Sequence, residues 1–218
     1  VPMRRSTYLS VCLSAVLALS GLAAVSAQES TPLPDPEVRG GKPLMEALSE
    51  RMTRREFAPD RLSAQVLSNL LWAAFGINRP DGRRTAPSAS NMQEIGLYAV
   101  MADGAFIYDA KEHALRLAVK EDLRAATGSQ EWIGTAPLEL VFVADYAKMG
   151  ERPEEDKRFY SGVDTGFISQ NVYLFCASEG LATVVRGGLD RAAVGKALKL
   201  RPDQRIVLVQ TVGWPAKK

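Results

Sequence analysis

Three short polar runs interrupt an otherwise apolar chain, and each carries groups able to grip an anion. They are Arg51-Met52-Thr53-Arg54-Arg55, then Arg83-Arg84-Thr85-Ala86-Pro87-Ser88-Ala89-Ser90-Asn91, and last Arg186-Gly187-Gly188. A guanidinium offers paired planar donors, a hydroxyl adds an adjustable one, and glycine lets backbone N–H groups come close to a ligand. Together these suit a phosphate and the polar edge of a heterocycle, although any one run alone is equally well a solvated turn. Other chemistries are poorly supplied. The single histidine, His113, leaves no multi-histidine metal site, so no metal is expected. No Gly-x-Ser-x-Gly elbow accompanies it, which argues against Ser-His-Asp hydrolysis. A Gly-x-Gly-x-x-Gly fingerprint and a Walker motif are both missing, so neither a Rossmann nor a P-loop nucleotide site is supported.

The elements that must hold these runs follow from hydrophobic periodicity. Pro43 opens a short helix to about Arg51. Ser63 is a plausible N-cap for a second, in which Val66, Leu67, Leu70, Leu71, Ala74 and Phe75 share one stripe until Gly76. Residues 77–93 read as a long loop, and long loops are usually functional or disordered. Leu97 to Met101 and Ala105 to Tyr108 flank Asp103-Gly104 as a hairpin, with a third short strand around Leu115 to Val119. Leu138 to Ala144 reads as a continuous apolar run and hence a buried central strand. The acidic cluster Glu151, Glu154, Glu155 and Asp156 reads as a solvated loop. From about Phe159 to Glu179 comes a long helix whose apolar residues, among them Val163, Phe167, Val172 and Phe175, spread around the circumference; it should be buried on several sides, one of them under a partner subunit. Gly180 ends it, and Cys176 on its apolar face reads as core. Leu181 to Val185, a helix capped by Asp190, and Ile206 to Val212 complete an α+β order in which hairpin strands mix with helices.

With 218 residues, 46% hydrophobic and 24% charged, the chain can bury one ordinary core. Disorder, collagen and a polytopic membrane protein are excluded by composition. Residues 1–27 read as a signal peptide: Arg4 and Arg5 form a positive start, Val11 to Val25 is apolar or small, and Val25-Ser26-Ala27 fits a cleavage site. The apolar stretch is short for a bilayer span, so an exported, periplasmic protein with no stable membrane anchor is expected. Removing Arg4 and Arg5 brings the 27 Lys and Arg to 25, equal to the 25 Asp and Glu. A neutral mature chain has no field to attract nucleic acid without sequence preference, and no such partner is expected. Residues 28–42, with Pro32, Pro34 and Pro36, read as a flexible linker to a domain at 43–218.

The order and spacing of the polar runs resemble the FMN-dependent nitroreductase family over nearly all of residues 44–215, including its nitroreductase-like and SagB-type dehydrogenase-like branch. The family's basic-x-Ser/Thr-x-basic element is matched by Arg51 to Arg55, followed by Phe57. Its Pro-Ser-small-x-Asn loop is matched by Pro87 to Asn91, with Gln93 in place. Asp164-Thr165-Gly166, Asn171 and Gly180-Leu181 resemble its buried helix, and Val212-Gly213-Trp214-Pro215 resembles its closing strand.

The resemblance implies a nitroreductase-like α+β fold: a central mixed or antiparallel sheet flanked by helices, a long buried central helix, and a homodimer that binds FMN between its subunits. By similarity, Arg51 and Thr53 would hold the flavin phosphate and ribityl chain. Arg55 would sit at the pyrimidine edge, where negative charge collects on reduction. Pro87, Ser88 and Asn91 would come from the other subunit, and the amides of Arg186 and Gly187 would face flavin N5 and O4. Lys217 would stand in for the basic tail that grips the phosphate in many members, while Arg54 and Arg84 read as surface charges. The implied reaction passes a hydride from NADH or NADPH through the flavin to a nitroaromatic or quinone, the flavin doing the chemistry. Free nicotinamide is scarce outside the cytoplasm, which leaves room for another donor. The competing readings are a catalytically idle flavin-binding relative serving as a binding module, and a flavin enzyme of another reaction class.

Overall fold

The computed structural model describes residues 29–130 and 132–217, so the signal peptide expected at 1–27 lies outside the described residues. Eleven elements follow in order: β1 (Ser30–Pro32), α1 (Leu44–Glu50), α2 (Ala64–Phe75), β2 (Ile95–Met101), β3 (Gly104–Asp109), β4 (Ala114–Val119), β5 (Leu138–Asp145), α3 (Glu154–Glu179), β6 (Ala182–Arg186), α4 (Arg191–Ala197) and β7 (Gln204–Gly213). The strands form one sheet in the order β1-β4-β3-β2-β5-β7-β6. Every pairing is antiparallel, which resolves the expectation of a mixed or antiparallel sheet.

Apolar residues cover both faces of the middle of this sheet. On one face Leu97, Leu138, Leu140 and Phe142 pack against Leu70, Leu71 and Phe75 of α2 and Ile168 and Val172 of α3. On the other, Tyr98, Val100, Val141, Val143 and Val209 pack against Val194 and Leu198 around α4. A strand covered on both sides loses the alternation of a half-exposed one, and β5 is buried from Leu138 to Ala144. Its run is not wholly apolar, however, because Glu139 is fully buried within it. Ser63 caps α2 as its type suggests, its hydroxyl accepting from the Val66 amide at 3.2 Å. Gly180 ends α3 in the left-handed conformation (φ 71°) that lacks a Cβ penalty, and its amide donates to the Cys176 carbonyl.

Three expectations need correction. Within the expected 28–42 linker, the described residues 29–42 are not featureless: β1 pairs Ser30 with Arg116 and Pro32 with Ala114 at the sheet edge, and Leu33 packs on the core. Three residues carrying a proline give no readable alternation, so only the partner strand reveals β1. The acidic cluster is not all loop either, since Glu154, Glu155 and Asp156 form the first turn of α3, where negative side chains oppose the positive helix end. Finally, α3 is buried along one side only within the protomer, through Asp164, Thr165, Ile168, Ser169, Val172 and Cys176. Phe159, Val163 and Phe167 lie open on its opposite side, 63%, 37% and 45% exposed.

Candidate functional site

The segment after α1 leaves the helix and runs along the C-terminal end of α3 and the start of β6. The Arg54 amide donates to the Thr183 carbonyl at 3.0 Å, fixing the segment to β6. The Arg51 guanidinium lies over the Tyr173 ring, 5.4 Å from its centroid. Thr53 Oγ1 is 3.1 Å from the Tyr173 hydroxyl, and that hydroxyl accepts from the Val185 amide, also at 3.1 Å. Tyr173 thus ties Thr53 to the strand end that carries Arg186 and Gly187. Sequence reading missed it, because an aromatic on a helix with apolar neighbours is indistinguishable from ordinary core. Farther on, Phe57 bridges Pro215, and the Ala216 amide donates to the Glu56 carbonyl. Exposed Lys217 is thereby brought beside a shallow cavity of about 760 Å³ that Phe57, Gly180 and Trp214 also line.

Among the described residues Arg51, Arg54 and Arg55 form no ion pair. Three guanidiniums within five residues, beside a threonine hydroxyl, are therefore left with uncompensated charge at the surface. That donor set fits an anionic ligand with a hydroxylated chain and an electron-rich heterocycle edge, as FMN has.

The Arg186 side chain is not part of this set. It turns into the sheet on the α4 side, donating to Glu139 Oε2 at 2.5 Å, to Thr211 Oγ1 at 3.2 Å and to the Thr127 carbonyl at 2.9 Å. Only its backbone and the exposed Gly187 and Gly188 remain for a ligand. Burial pushes the Glu139 carboxyl up to about 7, against the pull of Arg186 and the Thr211 hydroxyl.

The second run packs on the N-terminal half of α3. The Ala89 amide donates to Asp164 Oδ2 at 2.8 Å, and the Ser88 hydroxyl donates to Glu94 Oε2 at 3.2 Å while accepting from the Gln93 amide at 2.8 Å. Arg84 is no surface charge: it stacks on Phe75 and donates to the Phe75 carbonyl and to Gln93 Oε1. Ser90, Asn91 and Gln93 take positive φ of 52°, 54° and 48°, a costly conformation for side-chain-bearing residues. Pro87 and Asn91 are exposed. Asp164 and Tyr173 stand nine residues apart on α3, about 14 Å along the axis at about 1.5 Å per residue. Tyr173 therefore brings Arg51 and Thr53, with Arg55 two residues beyond, toward the strand end that carries Gly187, whereas Lys217 lies beside Gly180 at the opposite end of β6, and Pro87, Ser88 and Asn91 sit apart on the N-terminal half of α3.

Two other features are structural. His113 contacts Ser68 Oγ at 2.7 Å and the Tyr108 hydroxyl at 3.0 Å, but the Ser68 hydroxyl donates to the Pro34 carbonyl, so this cluster anchors the N-terminal strand and activates no nucleophile. The buried Cys176 thiol has its pKa pushed up by burial, which makes it inert.

The chain matches the nitroreductase family over residues 48–214. It is 30% identical over 169 residues, 72% of this chain and 85% of the other, to MJ1384, a provisionally named nitroreductase of Methanocaldococcus jannaschii. The crystal structure of another provisionally named nitroreductase, from Ralstonia eutropha JMP134, superposes with a TM-score of 0.83 at 41% identity, covering 87% of this chain and 90% of that one. The Vibrio harveyi NADPH:FMN oxidoreductase, in complex with NAD+, shares the fold at 21% identity and a TM-score of 0.60, over 80% of this chain and 69% of that one. The protein is a flavin-dependent oxidoreductase. More particularly, it belongs to the nitroreductase family.

Proposed function

We propose that this protein is an exported, homodimeric FMN oxidoreductase that passes electrons from NAD(P)H or another reduced donor to an electron-poor acceptor such as a nitroaromatic or a quinone. The observation that carries this reading is the uncompensated run Arg51–Arg55, tied through Tyr173 to the strand end bearing Gly187. When bound, FMN supplies hydride acceptance and donation at N5. Arg51, Thr53 and Lys217 hold the phosphate and ribityl chain. Arg55 stabilises the negative charge that collects at the pyrimidine edge on reduction, and the amides of Arg186 and Gly187 orient the ring.

A second copy of the chain supplies Pro87, Ser88 and Asn91. Support for the dimer comes from the apolar residues left open on two elements: Phe159, Val163 and Phe167 on α3, and Leu44, Met45 and Leu48 on α1. Gly162 and Gly166, with nothing within 4 Å of a built Cβ, would let a second helix approach closely. Export rests on the apolar leader at 1–27. The test is the absorbance spectrum and light scattering of the mature protein: a yellow dimer is expected, and a colourless monomer that takes up no added FMN overturns the reading. Arg55→Ala should leave the dimer intact, weaken FMN binding by about tenfold, as loss of a charge-assisted hydrogen bond does, and shift the flavin potential. An unaltered potential would remove Arg55 from its role.

A further inference from the structure

Beneath the Pro87–Asn91 loop two carboxyl groups meet with no cation between them. Glu94 is 0% exposed and Asp164 1%, and the Asp164 carboxyl lies within hydrogen-bonding reach of Glu94. On the Glu94 side the donors are the Ser88 hydroxyl and its own backbone amide, and on the Asp164 side the Ala89 amide. The charged groups nearby are committed elsewhere. Lys148 donates to the Gln93 carbonyl, Arg84 to Gln93 and Phe75, Arg152 to the Ser90 hydroxyl, and Asp145 adds a further negative charge near Lys148. Glu94 Oε1 has no hydrogen-bond partner at all. Two buried anions in contact are strongly disfavoured, whereas one proton between them turns the orphaned oxygen into a donor and satisfies both groups.

We infer that Glu94 keeps its proton and donates it to Asp164 and that, through Ser88 and Ala89, this pair holds the loop in the strained shape that closes on the partner subunit's flavin. Both are positioning residues, and the inference rests on the dimeric FMN reading above. The strain at Ser90, Asn91 and Gln93 needs external bonds to persist, and the bonds at Ser88 and Ala89 end on this pair. Burial, and the neighbouring Asp164, raise the Glu94 carboxyl above its ordinary range, against its own amide and the Ser88 hydroxyl. The favourable state is therefore the protonated one, complete at low pH and lost as pH rises through the raised value.

The experiment is FMN titration of the full dimer by fluorescence from the ordinary carboxylate range upward, about pH 4 to about pH 9, alongside the infrared spectrum of the flavin-free protein. The native protein should lose FMN affinity by roughly tenfold per pH unit once the Glu94 proton leaves. Glu94→Gln donates to Asp164 at every pH, so its affinity should stay flat, and Asp164→Asn, which keeps an acceptor for Ala89, should behave alike. The protonated-acid carbonyl stretch should be stronger in the native protein than in either variant, the Glu139 contribution being common to all three. A native affinity that is flat with pH, a Glu94→Gln profile that follows the native one, or an acid stretch no stronger than that of Glu94→Gln overturns the inference. Should FMN bind to none of these proteins at any pH, the functional reading fails while the infrared difference still decides whether Glu94 holds its proton.

Discussion

Glu139 and Glu94 are the same side chain at the same full burial, yet the fold gives them opposite neighbours. Glu139 lies on the α4 side of the sheet with the Arg186 guanidinium and the Thr211 hydroxyl on its oxygens. Glu94, just before β2, faces Asp164 and one serine hydroxyl. In both places burial raises the pKa, but the anion of Glu139 has a cation to answer it and the anion of Glu94 has another acid. The first arrangement ties three strands together and keeps a cation on the carboxylate when its proton leaves. The second depends on a proton being there. The difference matches location: the ion pair braces the backbone behind the Arg186–Gly187 amides, and the acid pair lies beneath the Pro87–Asn91 loop.

The largest expected effect comes from breaking the ion pair. Glu139→Ala leaves Arg186 buried and uncompensated and should lower the unfolding free energy by about 3–5 kcal/mol in chemical denaturation. Replacing both partners, Glu139→Leu with Arg186→Met, should recover most of that loss, because it is the unpaired charge that is costly. Gly128→Ala comes next. A Cβ there would meet Arg186 Nη1 at 2.3 Å and Ile133 Cδ1 at 2.4 Å, so the guanidinium must shift off Glu139, at about 1–3 kcal/mol on the same measurement. Ser88→Ala takes one hydroxyl from Glu94 and one acceptor from the Gln93 amide, and should cost about 1 kcal/mol.

The smallest change sharpens the contrast through pH. Glu139 is raised from 4.5 to about 7 in the folded state, so its contribution is fullest below about 4.5 and declines as pH climbs through about 7. Glu94 is raised too, so native stability carries a second loss of the same sign. Glu94→Gln should differ from the native protein by less than about 0.5 kcal/mol in acid, a conservative change with its partners kept, and lose less stability than it as pH rises. Thermal unfolding across pH measures both slopes, and an unchanged slope in Glu94→Gln would erase the distinction between the two glutamates.

Much of the fold was legible because its signals are local. The α2 stripe from Val66 to Phe75, its Ser63 cap, the Asp103-Gly104 turn and the Gly180 stop each lie within a few residues of what they specify. The polar runs were legible as anion-binding chemistry for the same reason, since Arg51, Thr53 and Arg55 are close neighbours in the chain. What escaped reading was decided by partners far away. β1 exists because β4 accepts it, Arg186 is a buried brace because Glu139 lies 47 residues before it, and Tyr173 matters because Thr53 and Val185 meet at its hydroxyl.

The sequence by itself determined the order of every element but β1, the family and the kind of ligand its cations suit, because periodicity, caps and short motifs act over one or two turns of chain. Only the tertiary structure decided which charges are spent inside and which stay free. Arg54 and Arg55 remain uncompensated, Arg84 and Arg186 do not, and one buried glutamate faces a cation while the other faces an acid. The physical reason is that a charge's state depends on the dielectric and the partners within a few ångströms, and the chain brings those partners together only by folding.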